Sequence, residues 1–139
     1  MLGRYVAILP FFIVGMPAMA ADEPFITGVY LQSEELCQRA QSETLQPVIE
    51  EGNIALSARG LESIEYNCEF VQVSRATRAP AWAVTAICQE PGFVFPDVLS
   101  ILELSPTQLD LVSVKLADPE SGVIDNSATY YLCDGVEMP

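Results

Sequence analysis

From residue 54 to residue 133 apolar positions recur at every second residue, broken at short intervals by glycine, proline and small polar residues. In IEYNCEF, Ile64, Tyr66, Cys68 and Phe70 alternate with Glu65, Asn67 and Glu69, the pattern of a strand with one buried and one wet face. AWAVTAICQ repeats it with Trp82, Val84, Ala86 and Cys88, and the RATRAP segment between the two runs predicts an antiparallel hairpin. VLSILEL and LDLVSV predict a second hairpin through SPTQ, where Pro106 supplies the fixed φ of a turn's second position. NIALSARGLES predicts a strand ending in a turn at Gly60, and ATYYLC a last strand in which Tyr131 and Cys133 share a face. The apolar phase slips between Phe70 and Val71 and between Leu111 and Val112, which predicts bulges or strands buried on both sides.

The earlier part of the chain has a different rhythm. DEPFITGVYLQ predicts a short strand. In SEELCQRAQSE, Ser33 stands as a helix N-cap, Glu34 and Glu35 occupy the first turn where the helix dipole favours them, and Leu36, Cys37 and Ala40 share a face; Pro47 ends the helix. The pattern predicts a mainly β fold: a small antiparallel barrel or sandwich of about six to seven strands with one short N-terminal helix.

The first twenty residues stand apart. Arg4, an apolar run from Tyr5 to Val14 and the small-residue pattern Ala18-Met19-Ala20 follow the order of a secretory signal peptide. The run is shorter than the roughly 20 apolar residues of a membrane span, and Pro10 and Pro17 interrupt it. We therefore expect cleavage near Ala20, a single secreted or periplasmic domain over residues 21–139, and no membrane insertion of the mature chain. Four cysteines, Cys37, Cys68, Cys88 and Cys133, lie in that domain. Their even number in an exported chain predicts two disulfides. The preferred pairing is Cys37 with Cys68 and Cys88 with Cys133, tying the helix to the sheet and closing the last strand. The rival, Cys68 with Cys88, follows if the first hairpin turns near Arg78.

Composition narrows the chemistry. Without Arg4 the chain keeps five basic residues against its nineteen acidic ones, a net charge of −14, which disfavours nucleic acid and anionic membranes and favours a cationic partner. No histidine is present, so Ser-His-Asp and Cys-His sites are impossible, and no closely spaced cysteine pair offers a zinc site. Phosphate-loop, dinucleotide and calcium-loop motifs are absent. No cofactor, metal or catalytic residue is predicted, and paired carboxylates are the weakest of the functional readings.

Two segments stand out as candidate binding elements. RATRAP brings Arg75 and Arg78 to a hairpin tip, either as a solubilising tip or as planar forks for an anionic group. PGFVFPD holds Phe93 and Phe95 two residues apart, so in an extended segment they point to one side. They either plug one end of the fold over Trp82 or project as an aromatic anchor. The plug is expected, because burying each ring is worth about 1.5–3 kcal/mol.

In outline the chain resembles the small periplasmic lysozyme inhibitors of bacteria, disulfide-bearing β-barrels, with Ser121-Gly122 in ESGVID nearest to their serine-glycine loop. The tyrosine and lysine elements that accompany that loop are not recognisable, so the likeness is one of architecture. The functional expectation is a secreted, non-enzymatic binding or inhibitor protein acting on another protein. A small barrel holding an apolar ligand, or an accessory protein of an envelope assembly, is the alternative.

Overall fold

The computed structural model describes residues 25–115 and 125–139; the expected leader and the Ser121-Gly122 pair lie outside them. Eight strands run as one antiparallel meander: β1 (Val29–Leu31), β2 (Ala55–Ser57), β3 (Gly60–Glu62), β4 (Asn67–Arg75), β5 (Ala81–Glu90), β6 (Phe93–Ser105), β7 (Gln108–Ser113) and β8 (Ala128–Cys133). Each pairs with the next, and β8 pairs with β1 to close a barrel. The fold is therefore a barrel, not a sandwich, and it has eight strands where the pattern predicts six to seven. β2 and β3 are three residues each, too short for alternation to register. Gly60 opens β3 at φ +148°, and a Cβ there would collide with the Cys68 carbonyl, so the position requires glycine.

The predicted single helix is two, α1 (Glu34–Glu43) and α2 (Leu45–Glu50). Ser33 caps α1 as expected, its Oγ accepting the Leu36 N–H at 3.1 Å. The chain breaks at Thr44, φ 83°, and Pro47 stands in the first turn of α2, where a missing N–H removes no helical bond. Leu45, Val48, Ile49 and Ala40 then bury the outward faces of Val29, Leu31 and Ala55. This explains why all three residues of β1 are buried: Tyr30 faces the barrel interior while its neighbours lie under the helices. Inside the barrel, Leu56, Leu61, Val84, Leu99, Ile101, Leu111 and Tyr130 are fully buried.

The cysteines form two disulfides, which points to an oxidising compartment, but the preferred pairing is wrong. Cys68 joins Cys88 and Cys37 joins Cys133. The hairpin between β4 and β5 turns at residues 76–80, so Cys68 and Cys88 fall directly opposite each other with Cα atoms 3.9 Å apart. Cys133 at the end of β8 lies beside Val29 of β1, and the helix that follows β1 brings Cys37 onto it. One predicted bulge is present, between Phe70 and Gln72. The slip at Leu111 is not a bulge, since Leu111 faces in and Val112 out in regular alternation; the second irregularity lies in β6 between Glu103 and Ser105.

PGFVFPD is strand, not loop, from Phe93 onward. Pro96 is tolerated because β7 does not reach that part of β6, its pairing beginning only at Leu99. The two phenylalanines part company. Phe95 is 5% exposed at one mouth of the barrel, stacked on Tyr66 with centroids 6.5 Å apart and with the Lys115 ammonium 4.0 Å over its ring. Phe93, one step beyond the rim, is 52% exposed and touches Phe95 at 5.6 Å. The plug is thus Phe95 alone, and it does not close over Trp82, which lies at the opposite mouth with Phe25 at 5.5 Å. Phe95→Ala should cost about 3 kcal/mol of unfolding free energy and Phe93→Ala less than about 1. Urea titration of the two variants checks this, and equal losses would contradict the described mouth.

Candidate functional site

The predicted binding residues do not meet. Arg75 and Arg78 are exposed around the turn between β4 and β5, whereas Phe93 and Phe95 begin β6 at the other end of β5. Ten residues of strand separate the two ends, about 30 Å at the usual rise per residue. The arginine tip and the aromatic mouth are separate features, and neither forms a composite site with the other.

Next to Phe95 the interior holds a polar cluster that the sequence reading missed. Asp97 shares the inward phase of Phe95, Leu99 and Ile101 and is 2% exposed. Its carboxylate accepts the Val98 N–H at 2.8 Å, the Ser113 hydroxyl at 2.7–2.9 Å and the Asn126 amide at 2.8 Å. The Asn126 carbonyl in turn accepts the Tyr66 hydroxyl at 2.5 Å, and its amide nitrogen lies 3.7 Å from both sulfurs of the Cys68–Cys88 bridge. Hydrogen bonds from several donors are what permit a buried carboxylate. The cluster joins β6, the end of β7, the approach to β8 and the approach to β4, so it pins the mouth rather than presenting a reactive group to solvent.

Burial pushes the Tyr66 hydroxyl up to about 12, with the charges of Asp97 and Glu90 adding to it, and burial likewise pushes Tyr130 up to about 12. In the unfolded chain both ionise near 10. Between these values the folded state keeps protons that the unfolded state releases, so the stabilisation is complete below pH 10 and is lost as pH rises toward 12. Urea unfolding should show a loss of about 2–3 kcal/mol between about pH 9 and pH 11. An unchanged midpoint would mean that water reaches the two hydroxyls.

Two outer surfaces differ sharply in charge. On the helical side Glu34, Glu35, Glu43, Glu50 and Glu51 are exposed, and Asp134 and Glu137 join them because the C-terminal segment packs on the helices through Val136, Met138 and a Gln41 Nε2 bond to the Asp134 carbonyl at 3.0 Å. Arg39 is the basic residue of the helices, and it is engaged by Glu51 through two 2.8 Å bonds and by Glu43 at 3.5 Å. Those bonds hold the Glu51 carboxyl below the usual range. In a ring of eight strands β5 stands across from β1, so the outer face of β5 and β6 is the far side of the barrel from the helices. There β6 presents Val94, Pro96, Val98, Ser100 and Leu102, flanked by Ala83 and Thr85 of β5 and Val112 of β7. No charged residue is among them. The sequence signal for this face is the outward phase of β6, which carries apolar residues where β4 carries Glu69 and Asn67.

Among the described residues no group of side chains could hold a metal ion, and no helix is long and apolar enough to cross a membrane. Comparison with protein-family models, with curated proteins and with solved structures finds no match.

Proposed function

We propose that the chain is an exported, non-enzymatic binding protein that engages a cationic protein through the acidic helical face. The observation that carries this reading is the excess of exposed carboxylates on α1, α2 and the C-terminal segment, where the one guanidinium of the helices is already taken by Glu51 and Glu43. An array of this kind raises the encounter rate with a basic partner and disfavours an acidic one. The side chains that fill the barrel, Tyr130 and Leu99 among them, favour an outer surface over an interior ligand site. The disulfides suit work outside the reducing cytoplasm.

Binding on this surface has a kinetic signature. The association rate with the partner falls steeply as ionic strength passes about 0.1 M, where the Debye length is about 10 Å, while dissociation changes little. The test is retention of a basic protein from a cell-envelope extract by the immobilised chain, compared with a Glu34→Gln, Glu35→Gln, Glu50→Gln triple variant. Retention eluted by salt and lost in the triple variant supports the reading. Retention that the triple variant leaves intact refutes it.

A further inference from the structure

We infer that the outer face centred on β6, uncharged except at its corners, pairs with the same face of a second copy of this chain, giving a reversible two-fold dimer. The face is independent of the acidic surface and lies across the barrel from it. Its exposed side chains are large and apolar: Val94 is 63% exposed, Val98 44%, Leu102 39%, Val112 46% and, in the β4 bulge, Val71 53%. Charges enter only at its margins, with Glu69 beside Ile87 at one corner and Asp110 beside Leu102 at another. On a chain carrying −14 after loss of its leader, the uncharged strip along β6 lets two copies meet without setting carboxylate against carboxylate.

Geometry supports a second copy as the occupant. The outward strip of β6 from Val94 to Leu102 spans about 27 Å at the usual strand rise, and with its immediate flanks on β5 and β7 it is about 14 Å wide. That gives a footprint of about 380 Å² per copy, or about 760 Å² in total, which is the range of a weak, reversible contact. The barrel wall is convex, so the contact runs along β6 and its immediate flanks, and an isologous contact there needs only self-complementary shape, because the strip itself carries no charge to match. A cationic partner gains least here, since this face offers it no carboxylate. The paired arrangement also leaves both acidic helical faces pointing away from each other.

The test is sedimentation equilibrium of the purified, oxidised protein from about 10 µM to about 1 mM. A monomer–dimer equilibrium is expected, tightening as salt rises from about 0.05 to about 0.5 M because screening relieves the repulsion between like-charged copies. Val98→Lys should weaken the dimer at least about tenfold with an unchanged circular dichroism spectrum and melting curve. The sign of this effect is diagnostic: the substitution makes the chain less negative, so general charge repulsion alone would make the dimer tighter. Glu50→Gln, the same charge change on the helical side, should not weaken it. A chain that stays monomeric throughout overturns the inference, including one that instead partitions onto neutral phosphatidylcholine vesicles, and so does a dimer that Val98→Lys leaves intact. Neither result bears on the salt-sensitive capture of a basic protein by Glu34, Glu35 and Glu50.

Discussion

Replacing Cys37 and Cys133 together by alanine is expected to lower the unfolding free energy by about 4–5 kcal/mol, and replacing Cys68 and Cys88 together by about 3. The difference follows from the loops they close. The first bridge joins positions 96 residues apart and the second positions 20 apart, and the entropy removed from the unfolded chain grows with the logarithm of that length. Both bridges are buried, so exposure does not separate them. Against a total near 5–15 kcal/mol the larger loss leaves a barrel that is only marginally stable. Urea titration of the two double variants measures both losses. The opposite order would show that the packing of the Cys68–Cys88 bridge against Asn126 outweighs loop entropy.

Asp97→Ala is expected to cost about 4–5 kcal/mol, close to the loss of the long bridge. Removing the carboxylate strands the Val98 amide, the Ser113 hydroxyl and the Asn126 amide inside the barrel mouth, and each buried donor left without an acceptor costs about 1–3 kcal/mol. The effect should spread to Tyr66, whose acceptor is held in place by Asp97. Asp97→Asn keeps the volume and one acceptor oxygen but sets an amide donor against the Asn126 amide, so it should recover only about half of the loss. A cost below about 1 kcal/mol for Asp97→Ala would mean that water satisfies the cluster.

The parts of the fold legible in the sequence are those where one face is dry and the other wet over several residues. Strands β4, β5, β6 and β7 and the β4–β5 and β6–β7 hairpins are of this kind, and Trp82, Val84 and Cys88 face inward as their alternation predicts. The helix break at Thr44 left no such trace, because threonine is a residue from which a positive φ is not expected. The disulfide pairing failed for a related reason. Cys37 meets Cys133 only because β8 returns to β1, a ring closure that no local pattern encodes. Periodicity also gives direction without depth: Phe93 and Phe95 share a phase, but one lies inside the rim and the other beyond it. Asp97 was overlooked although its place in that same phase marked it as an inward carboxylate needing partners. Its donors Ser113 and Asn126 lie 16 and 29 residues away, and only the closed barrel gathers them.

The lengths of the strands impose an order in time. β1, β2 and β3 are three residues each and stand side by side in the ring, while β4, β5 and β6 run to nine, ten and thirteen. The long strands follow one another in the chain and zip as successive hairpins, whereas joining β1 to β8 brings together residues about a hundred positions apart, a step whose entropy cost is met late. Until then β1 and β8 are open edges, able to accept a strand from a neighbouring chain. Oxidation of Cys37 and Cys133 at that seam is therefore a latch, and the interval before it shuts is when this protein is most exposed to aggregation.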